Sequence, residues 1–434
     1  MAIISQINMF VWEKDIEKLG DLERLVLAIK TLPDEELMRK LEKERGAGRD
    51  DYPVRAMWNM LIAMFVFGYG RYTGIIRELR RNVQLRYICG FENGKTPDSY
   101  NVSRFLVKLE AHMEEVRELF YALVSELYES LPDFGKDLSM DSKWIESMAK
   151  RVSERENPDR RSEADAEWGT KEYYGVNEDG SAWNKKVHCF GFKLHMVNDA
   201  NYELPVAYSV SGAAGSDIKH GEKLIRNTAE DRAYIIEKCE HLMADRAYDD
   251  TDFIKYLKED CKIKAVIDKR VMWRTETEKE VPGYKDIYYN EHGEVFCYSP
   301  EMGDRHEMRP AGYEAERDCL RMKCPAQMYG VTCRESETCT HCKTIRVPLE
   351  TDARIFTQVA RPSYKWERLY KKRISTERVF SRLDVSFGFE EKRLRGKARM
   401  ELLCVIALSI MNAMAVGRIK QGKPELMRSL VKAA

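Results

Sequence analysis

Apolar positions in this chain change their period once, near residue 132. Before it the spacing is helical. LERLVLAIK (22–30) places apolar side chains on one helix face, and residues 53–68 predict a buried helix opened by Pro53 at a favoured first-turn position. Short helices through TGIIRELRRNVQLRYICGF come next, then the turn-like ENGKTPDS. A longer helix, YNVSRFLVKLEAHMEEVRELFYALVSELYES, follows, starting near Asp98 or Ser99. Short helices leading into a longer one predict a helix-turn-helix-like arrangement.

Past Pro132 and Gly135 the pattern is that of strands: DLSMDSKWI, then VHCFGFKLHMVND (187–199), then LPVAYSVSG (204–212) across the hairpin-length ANYE. A helix from Asp217, the short run HLMADRAYD (241–249), another helix and KAVID (264–268) complete a mixed α/β order. Residues 147–186, centred on SERENPDRRSEADAE, are polar enough to predict a flexible loop. Residues 270–350 predict a β-rich insertion, and RLYKKRISTERVFSRLD a basic helix. The expected division is 1–132 helical and DNA-binding, 133–269 the first part of a catalytic domain, 270–350 the insertion, and 351–434 the C-terminal helices of that domain.

Composition narrows this frame. At 434 residues, 44% hydrophobic and 33% charged, the chain fits a globular protein of two or three domains. Its start lacks the order of a signal peptide, and the apolar run 56–68 is short for a membrane span, so a cytoplasmic location is expected with no membrane partner. The net charge is zero but unevenly spread: residues 361–434 carry 18 Lys/Arg against 7 Asp/Glu, a net of +11. Residues 71–108 hold 8 Lys/Arg against 3 acids. Such asymmetry predicts a local surface for a polyanion, with Arg104 near the start of the longer helix as a candidate DNA contact.

Three carboxylates carry the candidate chemistry. Asp141 lies in LSMDSKWI, Asp245 in HLMADRAYDD, and Glu377 on the basic helix. Two acids on strands and a third delivered by a helix are what two Mg²⁺ (or Mn²⁺) ions need to act on a phosphodiester, because hard cations prefer oxygen ligands. This arrangement predicts an RNase H-like core. Tyr370, Arg373, Glu377 and Phe380 fall at i, i+3, i+7 and i+10, so a ring, a guanidinium and a carboxylate share one helix face. Eleven cysteines without a secretory signal predict free or metal-bound thiols. Cys324, Cys333, Cys339 and Cys342 form a candidate structural Zn²⁺ set, although only the last pair has knuckle spacing, and unmetallated thiols are the other reading.

The Tyr370, Arg373 and Glu377 spacing, with Asp141 in MDSKWI and Asp245 in ADRAYDD, resembles the DDE transposases of bacterial insertion sequences. Their signature is Tyr-x₂-Arg-x₃-Glu-x₆-Lys. GFKLHMVND with LPVAYSVSGAAGSD is similar to the strand pair between the two aspartate blocks. The signature's lysine falls at Asp384 here, and Lys392, Arg393, Arg395 and Lys397 follow as candidate DNA-contacting groups. The resemblance implies Mg²⁺-dependent cleavage at element ends and strand transfer into target DNA. It also implies double-stranded DNA partners, namely terminal inverted repeats and target, and a homodimer in a synaptic complex near the nucleoid. An RNase H-like nuclease without strand transfer, and a domesticated non-catalytic DNA-binding protein, are the alternatives.

Overall fold

The computed structural model describes residues 20–45, 52–91, 94–147, 163, 165–177, 181–270, 278–298, 305–333, 339, 343–391 and 395–430. Among the described residues seven helices come first: α1 (Asp21–Thr31), α2 (Glu35–Arg45), α3 (Val54–Val66), α4 (Tyr72–Arg81), α5 (Val83–Cys89), α6 (Ser99–Ala111) and α7 (Met113–Ser130). Asp98 caps α6 as a capping box, its carboxylate accepting from the Tyr100 and Asn101 amides, which fixes the start the sequence predicts. The single long helix expected after it is two. His112 leaves helical geometry (φ −110°, ψ 33°) and its ring pairs with Glu44 and Glu115, so α6 and α7 diverge there. Residues 90–98 separate α5 from α6, a longer connection than the three- or four-residue turn of a helix-turn-helix.

The central sheet is built from β1 (Asp137–Glu146), β2 (Glu167–Val176), β3 (Ala182–Asp199), β4 (Leu204–Gly212), β5 (His241–Ala244) and β6 (Lys264–Ile267). β3 pairs antiparallel with β1 on one edge and with β4 and β2 on the other, while β5 and β6 run parallel to β1. The order β4-β3-β1-β5-β6 is that of an RNase H-like sheet. Helices α8 (Asp217–Asp231), α9 (Ala233–Lys238) and α10 (Thr251–Glu259) connect these strands. Gly221 lets α8 approach β1, since a Cβ there would meet the Tyr248 ring at 2.6 Å and Met140 at 3.0 Å.

Of the loop expected over 147–186, residues 148–162, 164 and 178–180 lie outside the described residues, and the rest is largely strand. Within it β2 pairs residue for residue with β3, which starts at Ala182 rather than 187. Trp168 packs on Phe190 (ring centroids 5.3 Å apart) and Thr170 bonds His188 at 2.9 Å. The outer part of this ribbon is solvated, so its charged composition imitates a loop.

Between β6 and the C-terminal helices lies a second sheet of β7 (Lys279–Glu280), β8 (Ile287–Tyr289), β9 (Val295–Tyr298), β10 (Arg305–Glu314), β11 (Cys319–Lys323) and β12 (Thr344–Pro348), with the short α11 (Pro325–Tyr329) after β11. This insertion has its own core, including Val281, Ile287, Met308, Leu320, Ile345 and Phe356. A structural metal at the cysteines would therefore be added to a core and not stand in for one. Arg354 ties it to the region beside the central sheet by clasping the buried Asp249.

The chain returns through α12 (Tyr364–Tyr370), a tight turn at Lys371–Arg373, α13 (Ile374–Ser381) and a π-helical turn at Arg382–Ser386. It ends in α14 (Lys397–Lys420), an apolar helix that the sequence pattern passed over. By length and composition alone α14 could cross a membrane, but nearly all of its apolar stretch is buried inside this fold. α14 packs on α7, α1 and β4, so the N-terminal helices and the sheet share one hydrophobic core.

Buried hydrogen bonds lock α13 to the sheet. The Ser139 and Thr376 hydroxyls lie 2.6 Å apart, Thr376 donates to Asn198 Oδ1 at 2.5 Å, and Asn198 Nδ2 donates to Ser375 Oγ at 3.0 Å. Asn198→Ala strands these hydroxyls in the interior, and each unpaired group costs about 1–3 kcal/mol. A loss of that order in urea denaturation is expected, against little change for the exposed Asn227→Ala on α8.

Candidate active site

β1 and β5 place the two candidate aspartates side by side. Met140 is in register with Ala244 across this parallel pair, and Asp141 and Asp245 are the residues that follow. Asp245 ends its strand by capping a short helical turn, accepting from the Ala247 amide at 2.8 Å. Asp141 accepts from its neighbouring Ser142 amide at 2.7 Å. Burial, and then the charge of Asp245, push the Asp141 carboxyl up to about 6. A buried carboxyl raised by burial and by a neighbouring carboxylate is short of positive charge, which is the electrostatic condition a divalent cation relieves.

Glu377 stands apart from this pair. It is half exposed and bound to Arg373 at 2.5 Å, while the other arm of the same guanidinium reaches Asp141 at 3.4 Å. Arg373 therefore bridges the strand acid and the helix acid. Among the described residues no group of three His, Cys, Asp or Glu sits close enough together to hold a metal ion. The arrangement thus assembles the Asp141–Asp245 pair, whose hard oxygen donors suit Mg²⁺ or Mn²⁺, and keeps Glu377 on the arginine.

The expected single basic helix is interrupted, with Tyr370 closing α12, Arg373 in the turn and Glu377 on α13. Tyr370 is half-buried, stacks on Trp366 (4.7 Å, 11°) and lies 5.9 Å from the Arg373 guanidinium. Phe380 is buried and serves the core. Arg104 is exposed on α6, 5.7 Å from the exposed Tyr100 ring. Arg395 is exposed just before α14, whereas Lys392 and Arg393 lie outside the described residues. Cys342 also lies outside them. Cys324, Cys333 and Cys339 are partly buried, and Cys297 from β9 joins them. Burial, followed by these three neighbours, pushes the Cys297 thiol up to about 12. The described thiols do not come together as a metal site, so the zinc expectation finds no geometric support among them.

Sequence reasoning missed several groups around the acids. Lys372 donates to Asp137 Oδ2 at 2.5 Å and Asn201 Oδ1 at 2.8 Å. Burial opposes the charge of Asp137, but hydrogen bonds from His241 and Lys372 overcome it and bring the carboxyl down to about 2. Asp217, at the start of α8, accepts from Ser142 at 2.6 Å and Lys193 at 2.9 Å. Lys143 pairs with Asp384. The signal for Lys143 was its place two residues after Asp141, on the same strand face.

The raised Asp141 carboxyl links stability to pH. Its ordinary value is 3.8, so between 3.8 and about 6 the folded protein holds a proton that the unfolded chain has released. The destabilising charge is absent below 3.8, grows through that window and is complete above about 6. Asp141→Asn is expected to gain about 1–3 kcal/mol at pH 8 and nothing at pH 3.5 in urea denaturation. Equal effects at both values would show that the carboxyl is not perturbed.

Two family profiles match the chain. One described as "Transposase DDE domain" covers residues 160–413, and one described as "Transposase domain (DUF772)" covers residues 13–108. Asp245 and Glu377 fall inside the first range, and Asp141 lies between the two. No curated protein matches. The first profile spans more than half of the 434 residues, on an RNase H-like sheet that sets Asp141 beside Asp245. The chain belongs to the DDE transposase family.

Proposed function

We propose that this transposase cuts phosphodiester bonds at the ends of an insertion sequence and joins the freed 3′ ends to target DNA, with Asp141, Asp245 and Glu377 as its catalytic acids. The observation that carries this reading is the side-by-side placement of Asp141 and Asp245, with Arg373 linking Asp141 to Glu377. Two Mg²⁺ or Mn²⁺ ions held by the three acids would supply charge neutralisation for the attacking and leaving oxygens.

In the first reaction water attacks phosphorus, the bond to the 3′ oxygen breaks, and that oxygen leaves with a proton as a 3′-OH. In the second the 3′-OH attacks a target phosphodiester and displaces the target's own 3′ oxygen, so one bond forms for each one broken. Arg373 has a forked, permanently charged group suited to the phosphoryl oxygens, and releasing Glu377 frees it for them. Tyr370 and Trp366 offer a stacked pair of rings beside it. The exposed Tyr100 and Arg104 of α6, with Arg395, Lys392 and Arg393, are proposed to grip duplex DNA away from the acids. A homodimer that pairs the two element ends, acting in the bacterial cytoplasm at the nucleoid, completes the reading.

The test is cleavage and joining of a duplex made from the DNA flanking the coding region, with Mg²⁺ present. Asp245→Asn and Glu377→Gln are each expected to lower cleavage by about 10³-fold or more, and Arg373→Ala by about 10²-fold. Binding of the same duplex should survive all three. Cleavage without joined product would point to a nuclease, and binding with no cleavage by the unaltered protein to a DNA-binding protein.

A further inference from the structure

We propose that Lys143 contacts a DNA phosphate next to the one at Asp141, and that Asp384 is the positioning residue that holds its ammonium in place. The proposal rests on the reading of Asp141 as a catalytic acid.

Alternation along β1 puts Lys143 on the same face as Asp141, one strand pleat of about 7 Å further on. Ser142, between them, turns the other way to bond Asp217. Asp384 comes from the π-helical turn after α13, seven residues beyond Glu377. Strand and helix thus exchange charges in opposite senses. The helix cation Arg373 reaches the strand acid Asp141, and the strand cation Lys143 reaches the helix acid Asp384.

Arg373 is already shared between two acids, so it cannot by itself balance a polyanion drawn across Asp141, Asp245, Glu377 and Asp384. Lys143 is the nearest cation along the strand from Asp141. Its side chain keeps 20% of its accessible surface, while that of Asp384 keeps 11%. Burial raises the Asp384 carboxyl above its ordinary range, and its Oδ1 is buried without a hydrogen-bond partner among the described residues. A half-satisfied buried acid is a poor structural strut. It is a sound anchor for an ammonium whose three donors are not used up by one carboxylate oxygen.

The experiment measures binding of the flanking-DNA duplex against salt, without divalent metal, and cleavage with Mg²⁺. Lys143→Gln combined with Asp384→Asn removes both charges while keeping the side-chain shapes. It is expected to lower the slope of log K against log salt by about 0.9, the share of one phosphate contact, and cleavage by about 10- to 100-fold. Exchanging the pair, Lys143→Asp with Asp384→Lys, returns one ammonium to the gap between the strand and the turn and should restore the slope. Asp384→Asn alone should keep the slope and raise the KM for DNA more than it lowers kcat. A neutral pair that binds with the unaltered slope and cleaves at the unaltered rate would overturn the proposal. If the unaltered protein does not cleave at all, the reading of the acids fails, while the salt slope still reports on Lys143.

Discussion

The hydrogen-bonded run Ser139–Thr376–Asn198–Ser375 is what turns a sheet and a helix into one site. Each group is buried, and each uses a short side chain whose hydroxyl or amide has no water to turn to. An unmade bond there is expensive, so the helix can sit on β1 and β3 in very few registers. The Ser139 hydroxyl also lies 3.2 Å from the Arg373 carbonyl, and Lys372 pins the turn to Asp137. With those residues fixed, Arg373 is aimed at Asp141. Apolar packing alone would tolerate sliding of the helix, and a slide of one residue would carry Arg373 and Glu377 off the face that meets Asp141.

Charge then decides how the fixed groups behave. Near β1 some acids are paired to stay ionised and others are left short of partners. Asp137 has His241 and Lys372 and titrates low, whereas Asp141 has a weaker contact with Arg373 and the repulsion of Asp245, and titrates high. Both are on the same strand, four residues apart. Burial raises both and is the largest cause at Asp141, where the second carboxylate adds to it, while at Asp137 the hydrogen bonds from His241 and Lys372 reverse it. The same strand thus carries one acid tied to basic partners and one set beside a second acid.

Much of this was legible before the fold was known. The strand order around Asp141 and Asp245 follows from apolar runs and a hairpin-length turn, and the i, i+3, i+7 face of Tyr370, Arg373 and Glu377 from helical periodicity alone. What stayed hidden depends on who faces whom. Ser139, Thr376 and Asn198 look like ordinary polar residues in apolar elements until the packing sets them against one another. The ribbon formed by β2 was hidden for another reason: an edge strand with solvated faces can be charged on both sides. Lys143 was in view inside MDSKWI but had no evident role, because Asp384 is 241 residues away in sequence.

The N-terminal helices are not a detachable module. Arg418 of α14 makes two 2.8 Å bonds to Glu23 of α1, Arg399 bonds Glu110 of α6 at 2.6 Å, and the Phe65 and Phe387 rings meet edge-on at 6.0 Å. Phe387 lies just after the turn that carries Asp384, so the helical region and the Glu377 helix are braced by the same few residues. The apolar surface of α14 is covered on one side by α1 and α7 and on the other by β4, and neither partner covers it alone. The two profile-matched ranges are consequently one physical body. A load placed on α6 would therefore pass directly into α14 through the Arg399–Glu110 pair and the shared core, with no flexible linker between the two helices.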